Sequence, residues 1–318
     1  MCVAIIGGLG YVGRHVVQQL LVLGYKVLII DKNEDRLVIS DLRKFDRTGK
    51  QLLFIKLALP VINNRFKDLI ISNNVNTVIN VAGLQETPAK TLYLTKYVYC
   101  YLSTSCKKVR TYIQTTPMEE NIGYGYDKRL KLDVFPENWL AHNTIKDNCT
   151  HLKVGVLRLP EGYGHDNRIN LHTGNFLWAQ LEAIRKGLVD KLPIHAEPVQ
   201  TEDGTHLRDY CPIFDIAGGI IDMMGYIQNS KGFDFAACDI GSGVNLSIKQ
   251  FIDIYKKHYD VKVVTDPILK GKPRSVLGGD PIGGGEMIGW TRLVNSTILT
   301  NDELNSKYLN FEEQLLKQ

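Results

Sequence analysis

Residues 2–31, "CVAIIGGLGYVGRHVVQQLLVLGYKVLIID", constrain the fold more than any other stretch of the chain. "CVAIIG" is a short, continuous apolar run, the pattern of a strand covered on both faces. "GRHVVQQLLVLG" follows with apolar residues at helical spacing, and Gly24 is the stop signal at its end. "KVLIID" reads as a second buried strand. Strand, tight turn, helix and strand within about 30 residues predict a right-handed βαβ unit with parallel strands.

The turn itself is "GGLGYVG". It satisfies two spacings, Gly8-x-Gly10-x-x-Gly13 and Gly7-x-x-Gly10-x-x-Gly13. Glycine is needed where the chain turns tightly, where backbone approaches a pyrophosphate, and where helix meets strand closely. The helix amino terminus then offers N–H groups and a partial positive charge to phosphates. Asp31 ends the second strand, where a carboxylate accepts hydrogen bonds from a ribose; a solvated turn residue is the alternative. Glycines gather in turns for many reasons. Strand, glycines, helix, strand and terminal acid in this order predict dinucleotide binding.

The alternation continues through "LLFIKLA", the helix-like "NRFKDLIISNN", the strand "TVINVAG", a helix from about 89 to 106, and the strands "VRTYIQT" and "LKVGVLRLP". This predicts an α/β fold, a doubly wound parallel sheet of Rossmann type, over residues 1–160. Beyond Pro160 turns and glycines increase, and the helical pieces are short, as in "GNFLWAQLEAIRKG" and "SIKQFIDIYKKHY". Residues 161–318 are expected to form mainly a smaller α/β substrate lobe at the strand ends, where a ligand crevice opens. A return to the sheet is expected around 212–240, where "FDFAAC" lies.

Composition removes several classes of function. Across 318 residues, 44% are hydrophobic and 23% charged, as in a soluble globular protein. A net charge of +4 without a basic block gives nucleic-acid binding no support. No apolar run reaches the roughly 18 residues of a membrane span. "MCVAIIGG" enters a strand at once, without a basic leader, so a cytoplasmic protein is expected. The asparagine-linked glycosylation patterns "NCT", "NLS" and "NST" then carry no weight. Cys2, Cys100, Cys106, Cys149, Cys211 and Cys238 show no metal-ligand spacing and read as buried free thiols, so no metal is expected.

One further stretch, "YGYDK", places Tyr124 and Lys128 four residues apart, on one face of a helix. In a chain with 15 tyrosines, one such pair arises by chance, so its position matters. It opens a helix shortly after the fifth strand, where short-chain dehydrogenase/reductase proteins carry a Tyr-x-x-x-Lys pair. The chain resembles the extended branch of that superfamily, the sugar-nucleotide epimerases. "IIGGLGYVGRH", "TVINVAGLQE", "YGYDK" and "TEDGTHLRDYCPIFDIAGG" carry the resemblance, the last of these being the most specific.

The resemblance implies an epimerase that exchanges UDP-glucose and UDP-galactose, or their N-acetylated forms, through a 4-keto sugar, with NAD tightly bound. Tyr124 would take the hydroxyl proton, and Lys128 would lower the phenol's pKa and reach the nicotinamide ribose. Gly7, Gly10, Tyr11, Val12, Gly13, Asp31, Ala82 and Gly83 would complete the coenzyme site. Arg208 would clamp the substrate diphosphate, an ion pair with Asp209 or Asp203 being the alternative. Glu86, beside Gln85, would face the sugar, a solvated loop being the alternative, and a homodimer is implied through the helix containing "LYLTKYVYCYL", whose apolar residues equally suit a buried core helix. Asp215 and His165 receive no role.

Several positions depart from the relatives. Their serine-rich strand end is "IQTTPMEEN" here, so Thr116 would supply the sugar-facing hydroxyl, with Thr115 next and Pro117 at the strict overlay. Ala58 stands where an acid is expected for the adenine. The helix asparagine falls near Lys96 or Tyr97. "RLPEGYGHD" lacks the relatives' substrate asparagine, and "LKGKPRS" leaves Lys270, Lys272 or Arg274 to replace a late arginine. Val276 overlays a residue that limits sugar size. Two other outcomes follow from the same residues: a dinucleotide-binding sensor or partner that has lost catalysis, and a nucleotide-sugar dehydratase using Glu119 and Glu120.

Overall fold

The computed structural model describes residues 1–61, 63–84, 88–118, 136–146, 151–164, 177–190, 192–195, 201–231, 234–243, 245–257, 259–266 and 287–288. The expected βαβ unit is there. Strand β1 (Cys2–Ile6) leads into helix α1 (Tyr11–Val22) and strand β2 (Lys26–Asp31), and β1 pairs with β2 in parallel. Gly24 stops α1 as its position predicts. At φ +83° it donates its N–H to Leu21 O, while Tyr25 N donates to Leu20 O, the paired bonds of a glycine-closed helix end. Sequence reading did not anticipate α2 (Arg36–Leu42), a short helix capped by Asp35, whose side chain accepts from the N–H groups of Leu37 and Val38.

The alternation then proceeds through β3 (Leu52–Lys56), α3 (Arg65–Ser72), β4 (Val75–Asn80), α4 (Pro88–Thr104), β5 (Thr111–Pro117), α5 (Pro136–Lys146) and β6 (Lys153–Leu159). Helix α7 (Ile213–Asn229) and strand β10 (Phe235–Asp239) bring the chain back to the sheet. The strand order is β10-β6-β5-β4-β1-β2-β3, and every pairing is parallel. The order reverses beside β1, which puts the crevice of a doubly wound sheet at its carboxyl end.

Both faces are covered, which is why the strands read as unbroken apolar runs. Val3 and Ile5 belong to the core under α1 and α7, together with Val16, Leu20, Ile216 and Ile220. Ala4 and Ile6, pointing the other way, belong to the core with Phe66, Val98, Leu102 and Leu140 of α3, α4 and α5.

The smaller lobe is mixed. Strands β7 (Glu161–Tyr163), β9 (Leu207–Pro212) and β11 (Asn245–Ser247) form one sheet in the order β11-β9-β7, and β8 (Leu192–His195) pairs with β12 (Val263–Asp266). Helix α6 (Leu177–Arg185) packs on β7, and α8 (Ile248–Lys256) follows β11. A capping box starts α8: Ser247 Oγ accepts from Gln250 N, and Gln250 Oε1 accepts from Ser247 N. Trp178, Tyr163, Tyr210 and Phe251 fill the space between these elements, Tyr210 stacking on Phe251 with 4.1 Å between ring centroids.

Among the described residues, no helix is long and apolar enough to cross a membrane, and no cluster of potential metal ligands occurs. The thiols correct one expectation. Cys106, Cys211 and Cys238 are buried and unbridged, but Cys100 is exposed and Cys2 only half-buried. Cys100 lies on the outward face of α4 and meets water rather than core.

Candidate functional site

The glycine turn is a cradle shaped by missing side chains. Gly7 leaves β1 at φ +81°, and its N–H donates to Ile30 O at 2.9 Å. Gly10 N then donates to Gly7 O at 3.1 Å, and α1 begins at the next residue. A Cβ on Gly13 would lie 2.1 Å from Gly7 O, and one on Gly7 would lie 2.9 Å from Ala82 N. Any side chain at either position would force the helix or the next loop outward. No side chain caps the amino terminus of α1, and its first turn has no acid, so its N–H groups and positive pole suit an anion such as pyrophosphate.

Asp31 is more than a turn residue. It is 8% exposed, its Oδ2 accepts from Leu9 N and its Oδ1 from Asn33 N, both at 3.0 Å. Burial pushes its carboxyl above the usual range, while those amides pull the other way. It braces the glycine turn and retains lone pairs for the hydroxyls of a ribose. The geometry therefore fits a dinucleotide: a bare cradle, an uncapped helix start and an acid at the end of β2.

Other expected coenzyme residues divide into backbone and side-chain parts. Tyr11 is buried; its hydroxyl donates to Gly164 O at 2.8 Å, tying α1 to the end of β7. Val12 is buried in the core. What both offer the cradle is the backbone N–H of the first helical turn. Ala82 and Gly83 form the loop after β4: Ala82 N donates to Asn80 Oδ1 at 3.2 Å, and Gly83, at φ +87°, accepts from Thr91 Oγ1 at 2.9 Å.

At the carboxyl end of β5, strand alternation separates the two threonines. Thr115 Oγ1 donates to Asn80 O at 3.1 Å, so that hydroxyl is committed to the sheet. Thr116, 2% exposed, points to the other face and has no such bond among the described residues. It lies in register with Arg158 of β6, which pairs with Asp239 of β10, and Pro117 ends the strand. Ala58, in the segment after β3, brings no polar group.

In the three-stranded sheet, β9 carries Arg208, half-buried and opposite Leu246 of β11. The carboxylates next to it accept hydrogen bonds from their own surroundings. Asp209 accepts from Ser242 N, Ser242 Oγ and Gly243 N at 2.7–2.9 Å, and a Cβ on Gly241 would lie only 2.6 Å from its Oδ2. Asp203 accepts from Thr205 N, Thr205 Oγ1 and Ser247 Oγ, which hold its carboxyl below the usual range. Asp215 is buried in the first turn of α7. Tyr124, Lys128, Glu86, Lys272 and Arg274 lie outside the described residues, as do Gln85, Glu119, Glu120, His165, Lys270 and Val276.

Sequence reasoning passed over four polar residues behind the Ala82–Gly83 loop: Asn80, Gln114, Thr91 and Thr95, each at most 1% exposed. The signal was available. Asn80 and Gln114 interrupt apolar strands at adjacent register positions, and the threonines are four apart on α4. The residue of α4 that bonds toward β5 is Thr95. Lys96 instead lies over the ring of Trp139, and Tyr97 packs with Phe66 and Tyr101.

Fold and cradle together define a nucleotide-binding protein of the doubly wound class. The chain belongs to the NAD dependent epimerase/dehydratase family, whose model matches residues 3–236. It is 24% identical over 287 residues to the UDP-glucose 4-epimerase of Bacillus subtilis, with 81% of this chain and 82% of that protein covered. The UDP-glucose 4-epimerase of Dictyostelium discoideum is 23% identical over 338 residues, covering 97% and 96%. Among solved structures, the UDP-glucose 4-epimerase of Bifidobacterium longum in complex with NAD+ and UDP superposes with a TM-score of 0.72 at 20% identity, over 99% of this chain and 98% of that one.

Proposed function

We propose that this protein interconverts UDP-glucose and UDP-galactose, using NAD held in the glycine cradle. What carries the reading is a glycine cradle that fits a dinucleotide, in a chain similar over most of its length to UDP-glucose 4-epimerases. Gly7, Gly10, Gly13, the amides of Tyr11 and Val12, Asp31, Ala82 and Gly83 would hold the coenzyme. NAD supplies a hydride acceptor that gives the hydride back, so no net oxidation results. Tyr124 takes the proton of the sugar C4 hydroxyl. An unperturbed phenol, with a pKa of about 10, is a weak base at neutral pH, and the ammonium of Lys128 one turn on favours its ionised form. Thr116 donates to the same sugar oxygen. Arg208 fixes the diphosphate while the 4-keto sugar turns over and receives hydrogen on its other face. Glu86 contacts the sugar, and Lys272 and Arg274 contact the phosphates.

Purified protein mixed with UDP-galactose tests this reading, with UDP-glucose measured by chromatography. Tyr124→Phe should lower turnover by about a hundredfold to ten-thousandfold, the usual range of general-base contributions, while leaving the fold and bound NAD intact. Unchanged activity would exclude Tyr124 as the base. A second reading, a NAD-binding sensor without turnover, is favoured by one feature: Thr115 is committed to Asn80 and Pro117 follows, so Thr116 is the sole hydroxyl of "TTP" open to a sugar. Bound NAD with no turnover on any UDP-sugar would support it, and loss of water from the sugar would point to a dehydratase.

The protein acts as a homodimer joined through α4, where Tyr93 is 63% exposed. Light scattering of the purified protein tests that assembly. The unbridged thiols of Cys106, Cys211 and Cys238 suit a reducing, cytoplasmic setting.

A further inference from the structure

We propose that Gln114 is a positioning residue for the coenzyme, acting through a closed hydrogen-bond circuit that sets the wall of the glycine cradle. The inference rests on NAD being held in that cradle.

Gln114 lies in β5, fully buried and in register with Asn80 of β4. Its Nε2 donates to Thr115 O at 2.7 Å, which fixes the orientation of the amide. Its Oε1 accepts from Asn80 Nδ2 at 2.9 Å and from the Tyr112 hydroxyl at 2.5 Å, and Thr95 Oγ1 lies 3.1 Å away. Asn80 Oδ1 accepts from Ala82 N. On the other arm, Thr95 Oγ1 is 2.8 Å from Thr91 O, its single hydrogen shared between that carbonyl and Gln114. Thr91 Oγ1 reaches Gly83 O. The path from Gln114 through Asn80 to Ala82, and back through Gly83, Thr91 and Thr95, is closed.

The loop inside this circuit is the one that Gly7 packs against, since a Cβ on Gly7 would meet Ala82 N and Cα within 3.0 Å. Ala82 therefore forms one side of the cradle, and the circuit holds it from behind. The side chains of Asn80, Gln114, Thr91 and Thr95 are buried, and a donor or acceptor left unpaired there costs more than an apolar replacement would, so the network favours one geometry. Burial pushes the Tyr112 phenol well above its ordinary value, which keeps it protonated as a donor to Gln114. Tyr112 is a branch outside the ring: it stabilises the hub but does not lead to the loop.

That difference supplies the test, with NAD affinity measured by titration of coenzyme-stripped protein and thermal midpoints recorded in parallel. Gln114→Leu and Thr91→Val, at opposite sides of the ring, should each weaken NAD binding about tenfold. Together they should weaken it only slightly beyond tenfold, well short of the hundredfold of independent sites, because the ring is already open. Tyr112→Phe should stay within about twofold of wild type for NAD, even with a lowered midpoint. Should Gln114→Leu fail to fold, Thr95→Val with Thr91→Val poses the same question.

Wild-type protein that takes up no NAD overturns the coenzyme reading and the circuit with it. Wild-type protein that binds NAD, with folded ring variants binding equally well, overturns the circuit alone. So do fully additive losses, or a Tyr112→Phe loss as large as that of the ring variants.

Discussion

The cradle at the head of α1 and the β7–β9–β11 sheet are tied together by the bond from Tyr11 to Gly164, yet they are built by opposite means. The cradle is made by removing side chains: Gly7, Gly10 and Gly13 let backbone approach backbone within one contiguous stretch. The lobe is made by anchoring them. Asp209 holds the 241–243 turn, Asp203 holds Ser247, and Glu182, fully buried, accepts from Tyr255 and Arg185, residues separated by up to 73 positions. A site for an invariant pyrophosphate suits the first construction. A site that must select among sugars suits the second, because long-range side-chain anchors can change one at a time.

The largest expected effect follows from the first construction. Gly13→Val places a Cβ inside contact distance of Gly7 O, so it should abolish NAD binding or prevent folding altogether. Coenzyme content and far-ultraviolet circular dichroism would report it, and a folded variant with normal NAD would break the idea of a backbone-built cradle. The second effect belongs to the lobe alone. Arg208→Ala should raise KM for the UDP-sugar about tenfold to a hundredfold, the worth of one charge-assisted phosphate contact, while leaving NAD content unchanged. Equal loss of NAD would dissolve the distinction between the two regions.

Two smaller effects concern α7, which leaves β9 of the lobe and packs on α1 of the cradle domain. Burial pushes the half-buried carboxyl of Asp222 up to about 6. The unfolded chain ionises it near the ordinary carboxylate value, so folding retains a proton between the two values and stability falls as pH rises through that window. The penalty is absent below about pH 3.5 and complete above about pH 7. Asp222→Asn should therefore stabilise the protein at pH 8 by about 1 kcal/mol, discounted for solvent exposure, with little effect in acid. Urea denaturation at both pH values measures it, and an equal gain at each would reject the titration. Finally, a Cβ on Gly225 meets nothing within 4 Å, so Gly225→Ala should raise stability by about 0.5–1 kcal/mol through helix propensity alone. A loss would mean that α7 needs that space.

The contrast also explains what could be read from the chain. The βαβ unit and the alternation of parallel strands with helices follow from apolar periodicity and glycine position, which are local. Gly24 and the glycine turn did what their spacing predicts. Asp31 was legible as an acid at the end of β2, but its bond to Leu9 was not, because it joins residues 22 apart. Thr115 and Thr116 differ only in which face of β5 they occupy, and that depends on register with β4 and β6. The ring around Gln114 needs three elements side by side before its purpose shows. Asn80 and Gln114 were visible as polar interruptions, not as partners.

With NAD held in the cradle throughout turnover, the hydrogen that leaves C4 of the sugar would return to that same carbon on its other face. UDP-galactose carrying deuterium at C4, incubated with purified protein and no added coenzyme, tests it most directly. The expected product is UDP-glucose that keeps its deuterium at C4. Product with the label exchanged into solvent, or no product from protein that contains NAD, would contradict it.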